Sequence, residues 1–228
     1  MNFKLTISYD GSDFSGWQIQ PNERTIQDEI QTAIQNIFQN KDIKLYGSGR
    51  TDSGVHAIEQ TANFLVKDSN MNEKQIVNAI NSKISKDIYI LDCKKMNKNF
   101  NSRYSAKKRE YLYRISRNYS PFLRKYSWYQ KYNIDFNKLQ KCSDIILGEH
   151  DFSNFCKSIS LQEMNLCDIS KSTWDITDDI ISFKIKSNRF LHHMVRMLVG
   201  TMIEVAKNKI TLKQFDNMIE NPKTNKKV

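Results

Sequence analysis

The chain has 228 residues, of which 39% are hydrophobic, 11% aromatic and 26% charged, a balance that excludes disordered, collagen-like and fibrous classes and allows one large domain or two small ones. No run approaches the ~18 uninterrupted apolar residues of a membrane span, and Asn2 to Tyr9 lacks the apolar core of a signal peptide, so a cytoplasmic protein is expected. Net charge is +10 and unevenly placed, with 13 basic and 12 acidic side chains in residues 1–103 against 22 and 13 in residues 104–228, which points to a polyanionic partner for the second half.

Phe3, Leu5, Ile7 and Tyr9 alternate with polar neighbours and predict a strand that stops at the turn Asp10-Gly11. Thr25 to Gln39 reads as a helix with Ile26, Ile30, Ile34 and Phe38 on one face, and Thr25-x-x-Asp28 has the form of a capping box. After a polar, glycine-bearing loop, Gln60 to Lys67 and Asp87 to Lys94 alternate as strands and flank a helix carrying Ile76, Ile80 and Ile84. The second half predicts a strand over Glu110–Ser116 and a helix over Phe136–Leu147. Strands follow near Thr173–Ile176 and Ile180–Lys186, then a long helix from about Phe190 to Ala206. Strands so interleaved with helices and turns predict an α+β protein with mixed or antiparallel sheets, divided into an N-terminal half, 1–103, and a C-terminal half, 104–228.

Cys93, Cys142, Cys156 and Cys167 form no Cys-x-x-Cys pair, so buried or half-buried free thiols are expected rather than a zinc site or a disulfide scaffold. His192 and His193 are adjacent on a predicted helix, point apart and have no carboxylate at ligand spacing, so no metal is expected there.

Two segments carry chemistry. Gly47 to Ala57 has three glycines in eight positions, suited to a tight loop beside a ligand, but lacks the Gly-Lys-Ser/Thr ending of a phosphate-binding loop. By pattern alone its Asp52 is either a reactive carboxylate or a turn former bonding nearby amides. Between Arg103 and Lys125 eight basic residues face one acidic residue, Glu110, with Tyr104, Tyr111, Tyr113, Tyr119 and Phe122 interleaved. Cations that neutralise phosphates and rings that stack on unpaired bases suit a looped or single-stranded RNA; a solvated charged strand is the other reading of the same residues.

The run Gly49-Arg50-Thr51-Asp52-Ser53-Gly54-Val55-His56-Ala57 resembles the signature of the TruA family of tRNA pseudouridine synthases, whose aspartate is the catalytic carboxylate. Further segments resemble the same family in the right order. They are Tyr9-Asp10-Gly11-Ser12-Asp13-Phe14-Ser15-Gly16-Trp17-Gln18 with Thr25-Ile26-Gln27, Phe100-Asn101-Ser102-Arg103-Tyr104-Ser105-Ala106 followed by Tyr111, Gly148 to Phe155, and Phe190 to Gly200. The resemblance implies a pseudouridine synthase fold: two similar α+β halves, sheets flanked by helices, and a central RNA-binding cleft. It implies isomerisation of uridines 38, 39 and 40 in the anticodon stem-loop of tRNA by a homodimer that uses no cofactor and no metal. Asp52 would be the nucleophile, and Arg196 its ion-pair partner. Tyr111 would stack on the target base and assist proton transfer. Arg50, Arg103, Lys107, Lys108 and Arg109 would bind RNA.

Without the resemblance, Arg196 reads as an arginine reaching out of a core helix one turn from His192, and Tyr111 as one of an aromatic pair with Tyr113 on a strand face. The chain departs from the family pattern in three places. Cys167 and Ser102 stand where arginine and alanine are usual, and the family's final strand, of the type Gly-Leu-Tyr-Leu-x-x-Val-x-Tyr, is replaced by Asn221-Pro222-Lys223-Thr224-Asn225-Lys226-Lys227-Val228. Loss of that strand raises a second expectation, a catalytically impaired tRNA-binding protein.

Overall fold

The structure is a computed structural model that describes residues 1–157 and 165–222. The chain separates into two compact units, Met1–Ala106 and Lys107 onward, and both are α+β.

The first unit contains β1 (Asn2–Tyr9), α1 (Ile26–Phe38), β2 (Leu45–Gly47), β3 (Ala57–Leu65), α2 (Glu73–Asn81) and β4 (Ile88–Met96). Its sheet runs β2-β3-β1-β4 and is antiparallel throughout. The period-two pattern of β1 buries Phe3, Leu5, Ile7 and Tyr9 on one face, where register places Phe3 opposite Phe64 and Leu5 opposite Ala62. Ile26, Ile30 and Ile34 of α1 and Ile76 and Ile80 of α2 join this core, as their spacing requires.

Helix α1 does not start with the expected capping box. Thr25 occupies the cap position with an extended backbone, but its hydroxyl makes no cap hydrogen bond and is buried without a partner among the described residues. The helix's free donors are satisfied from elsewhere in the fold: Ile26 N–H donates to the Gly16 carbonyl at 3.2 Å and Gln27 N–H to the Trp17 carbonyl at 3.0 Å. A backbone partner has displaced the side-chain cap.

The second unit contains β5 (Arg109–Ser116), β6 (Trp128–Tyr129), α3 (Phe136–Ile145), β7 (Gly148–Asp151), β8 (Leu166–Thr177), β9 (Ile180–Ser187), α4 (Met194–Ala206) and α5 (Leu212–Glu220). The sheet order is β6-β5-β9-β8-β7, with β5 and β6 parallel and the other pairs antiparallel. Ile181, Phe183 and Ile185 of β9 and Cys167, Ile169 and Trp174 of β8 turn inward against Leu198, Val199, Met202 and Ile203 of α4, and the Trp174 and Phe183 rings stack at 4.6 Å. Strand β8 is far longer than Thr173–Ile176, because a register shift between Ile169 and Lys171 breaks its alternation. All four cysteines are buried free thiols; burial pushes Cys93 and Cys142 up to about 12 and Cys167 up to about 11.

The expected helix from Phe190 is also shorter than its apolar run. It begins at Met194, because His193 has a left-handed backbone, φ 65°, that interrupts the helical repeat. His192 therefore does not lie one helical turn before Arg196. Arg196 sits in the first turn of α4, exposed. The expectation of a missing final strand concerns Asn221 to Val228; Asn221 N–H closes α5 on the Asn217 carbonyl at 3.0 Å, and Lys223 to Val228 lie outside the described residues.

One polar cluster is buried in the first unit. Asn63, on β3, donates from Nδ2 to Asn2 Oδ1 at 3.0 Å and accepts the Ser102 N–H at 2.8 Å, while Asn2 Nδ2 donates to the carbonyls of Asn97 and Phe100. These bonds tie the chain after β4 back onto β1. Ser102 Oγ, by contrast, is buried with no partner among the described residues, a cost that an alanine there would avoid. In urea unfolding, Ser102→Ala is expected to leave stability unchanged or raise it by up to about 1 kcal/mol, whereas Asn63→Ala is expected to lower it by about 2–3 kcal/mol by orphaning buried donors and acceptors.

Candidate active site

The glycine-bearing loop between β2 and β3 carries Asp52, half-buried, and Arg50, exposed. Its conformation is held by the segment after β1. The Tyr9 hydroxyl meets Thr51 Oγ1 at 2.8 Å, and Trp17 N–H donates to the Thr51 carbonyl at 3.0 Å. On the other side of Asp52, the Phe14 carbonyl accepts from Ser53 Oγ at 3.1 Å and from Gly54 N–H at 3.4 Å. Asp52 itself opens a four-residue turn closed by Val55 N–H on its carbonyl at 3.2 Å, with Gly54 at φ 75° in the third position, where a positive φ favours glycine.

The contact is close enough to restrict composition. Gly16 has φ 95°, and a Cβ placed on it would lie 2.7 Å from the Thr51 carbonyl oxygen and 3.2 Å from the carbonyl carbon of Asp52. Beyond the turn, His56 Nδ1 accepts Gly11 N–H at 3.2 Å and lies 2.9 Å from Asp10 Oδ1, which also accepts Ser12 N–H at 2.9 Å. The β2 side is fixed by Gln60, whose Nε2 donates to the Gly49 carbonyl at 3.0 Å while its Oε1 takes Ser48 Oγ at 2.8 Å. A carboxylate is thus held on a short loop whose backbone is bonded on both sides of it, which suits a group that must meet one carbon atom of a substrate.

Arg103 stands on the same unit, exposed, with its guanidinium 5.8 Å from the Tyr104 ring centroid. Lys107, Lys108, Arg109, Tyr111 and Arg196 belong to the second unit. Lys107 and Lys108 are exposed ahead of β5, whereas Arg109 is half-buried and donates from Nη1 to the Asn188 carbonyl at 2.9 Å, tying the start of β5 to the end of β9. Tyr111 and Tyr113 share the half-buried face of β5, as the alternation predicts, and pack against the core. Tyr111 meets Phe190 edge to face at 5.0 Å, a contact available because the chain turns at 190–193 instead of continuing the helix.

Arg196 breaks a local rule. A cation in the first turn of a helix faces the positive end of the macrodipole and costs about 0.3–1 kcal/mol there, yet no acidic residue offsets it in that turn. Its charge reaches the Tyr113 phenol, where burial raises the pKa and Arg196 opposes the rise. The sequence did not assign roles to Gly16, Trp17, Asp10 or His56. Gly16 and Trp17 lie in the opening segment quoted above, but their use, as supports of the Asp52 loop, depends on a contact across more than thirty residues.

A family described as tRNA pseudouridine synthase matches residues 5–105 and 144–228 of this chain. Among relatives, the chain is similar to tRNA pseudouridine synthase A of Brachyspira hyodysenteriae, 39% identical over 222 residues that cover 96% of this chain and 89% of the relative. It is similar also to tRNA pseudouridine synthase A of Bacillus licheniformis, 37% identical over 224 residues covering 96% and 90%, and to that of Dictyoglomus thermophilum, 36% identical over 226 residues covering 98% and 91%.

The support of the loop by the segment after β1 can be tested in the folded chain. Gly16→Ala is expected to lower stability by about 2–3 kcal/mol through forced positive φ and displacement of Thr51, and to speed tryptic cleavage at the exposed Arg50. Gly49→Ala meets nothing within 4 Å and is expected to leave both readouts near those of the parent. Equal effects of the two substitutions would contradict this account.

Proposed function

This chain belongs to the tRNA pseudouridine synthase family and is an isomerase acting on tRNA, and from that premise we propose that it converts uridines 38, 39 and 40 of the anticodon stem-loop, with Asp52 as the reacting carboxylate. The observation that carries the assignment is the placement of Asp52 on a loop bonded through Thr51, Ser53 and Gly54 to the segment Phe14–Trp17.

The reaction cuts the N-glycosidic bond between ribose C1′ and uracil N1, turns the base and rejoins it through C5, after which the proton on C5 leaves and N1 carries one in its place. Atoms balance without an oxidant, a reductant or a cofactor, so the chemistry requires a nucleophile, a surface that holds the freed base and a proton acceptor. Asp52 supplies the nucleophile: it bonds to ribose C1′ and is displaced when C5 attacks that carbon, or it adds to uracil C6 and is expelled after rejoining, or it supports a glycal route. A carboxylate attacks in its anionic form, which a neighbouring guanidinium favours; Arg196, held against the dipole of α4 with no acidic residue in its turn, is assigned that role. A uridine paired in a stem must leave the stack before it can react, at a cost of a few kcal/mol. Tyr111, braced by Phe190, receives the base and assists the proton transfer. Arg50, Arg103, Lys107 and Lys108 contact phosphates. Arg109 contributes there as well, and the C-terminal half, residues 104–228, is the principal RNA-binding half.

We assign the working form to a cytoplasmic homodimer without metal or cofactor. The catalytically impaired alternative is not favoured, because binding alone gives no reason for the close packing around Asp52.

Under single-turnover conditions with tRNA carrying tritium at uridine C5, Asp52→Ala is expected to reduce tritium release by on the order of 10⁴-fold or more. Release from the variant at the parent's rate would overturn the assignment of Asp52, and release persisting when uridines 38–40 are replaced would overturn the assigned target. Affinity for tRNA is expected to fall as salt rises, with a log-log slope of about −0.9 per neutralised duplex phosphate; a flat response would exclude the proposed contacts of Arg103 to Arg109.

A further inference from the structure

A second surface of the chain has the composition of a binding site. Between β5 and α3, residues 117–134 carry six aromatic side chains, and all six are exposed: Phe122 at 86%, Tyr119 at 65%, Tyr132 at 56%, Tyr126 at 45%, Tyr129 at 43% and Trp128 at 38%. The same stretch holds Arg117, Arg124, Lys125 and Lys131, and the first carboxylate after them is Asp135 at the cap of α3, 3.8 Å from Lys138. Single exposed apolar residues need no explanation, but rings clustered in one segment among cations do.

The segment is built rather than loose. Leu123 N–H bonds the Ser120 carbonyl at 3.2 Å, and Tyr126 and Ser127 N–H both bond the Leu123 carbonyl at 2.9 Å. Strand β6 then pairs in parallel with the end of β5, Trp128 beside Ile115 and Tyr129 beside Ser116, as the outermost strand of the sheet. Tyr119 and Tyr129 meet edge to face at 5.7 Å, as do Trp128 and Tyr113 at 6.5 Å. The Lys207 and Lys131 ammonium groups stand 4.3 Å and 5.4 Å from the Tyr132 ring centroid. An edge-to-face contact orients two rings without using both faces of either.

We propose that this surface docks an unpaired stretch of RNA, with bases stacked on its rings and phosphates met by its cations, as a substrate-holding surface additional to the residues assigned above to the reaction. The proposal rests on the reading that the substrate is RNA. Charge favours that occupant over a second copy of the chain. An isologous contact would set four cations against four with one carboxylate, Asp135, just past the end of each segment, in a protein of net charge +10, whereas a single strand offers both the anions and the flat faces.

The tryptophans provide a local reporter, because Trp17 and Trp174 are buried at 2% and 1% exposure and Trp128 is the one a ligand can reach. The test titrates the full chain with a single-stranded oligouridylate of about 12 nucleotides, inside the usual range of single-strand sites, and follows tryptophan emission and the anisotropy of the labelled RNA. Saturable, salt-sensitive quenching is expected. Trp128→Phe should remove the quenching while anisotropy still reports binding, and Tyr119→Ala/Phe122→Ala should weaken binding by about tenfold or more with an unchanged circular dichroism spectrum, since both side chains are exposed. Emission that does not respond to RNA in a sample that forms pseudouridine would overturn the surface and leave the proposed function standing. So would parental RNA affinity in the double variant. A shift of the double variant from dimer to monomer in sedimentation, with RNA affinity intact, would assign the surface to a second copy instead. If the chain forms no pseudouridine at uridines 38–40 but Trp128 responds and the double variant loses the response, the target assignment fails and the RNA-docking surface stands.

Discussion

Two peptide groups, those of Gly16 and Trp17, bond in two directions. Their carbonyls take the first N–H groups of α1, and the Trp17 N–H takes the carbonyl of Thr51, next to Asp52. A helix end that would otherwise need a side-chain cap is thereby joined to the loop that carries Asp52, and Phe14 closes the other side of that loop. Such bonds contribute about 1 kcal/mol apiece, too little singly to fix a loop. Several of them bracket one residue, and the absent Cβ of Gly16 permits the approach that makes them. The position of Asp52 therefore depends on the packing of α1 against β1 and β3, since the core formed by Ile26, Ile30, Leu5 and Ile7 holds the donors and acceptors in range.

The second unit carries the other groups of the proposed reaction, Tyr111 and Arg196, with Lys107 and Lys108 exposed ahead of β5. Arg196 on the opening turn of α4 is tolerated there at some cost in helix stability, a local inconsistency of the kind that marks function. The left-handed residue His193 just before it ends the apolar run as a helix and lets Phe190 brace Tyr111. Here one backbone conformation serves two assigned groups.

Much of the fold was legible because hydrophobic period survives tertiary context where elements are long and one-sided. Strand β1 and helix α2 follow their patterns to within a residue or a few. What escaped has physical causes. The two-residue β6 and the four-residue β7 are too short to show a period, and the bulge at Ile169–Lys171 disguises the first half of β8. In α5 the pair Phe215 and Ile219 and the cap formed by Thr211 and Gln214 were available to be read, but nine residues with two buried side chains form a weak signal.

The chain's sequence by itself determined the family, the α+β class and the identity of the candidate carboxylate, because these reside in residue types and local spacing: a Gly-Arg-Thr-Asp loop, alternating strands, a helical stripe. Tertiary structure decided how that carboxylate is held, which residue caps α1 and where α4 begins. It also decided which rings lie open to solvent. Each of these turns on contacts between residues far apart in the chain or on one backbone dihedral, and neither the hydroxyl of Thr25 nor the apolar run at Phe190 carries that information locally. Thr25 is a good cap in isolation; the carbonyls of Gly16 and Trp17 reached the helix end instead, because the fold had already brought them there.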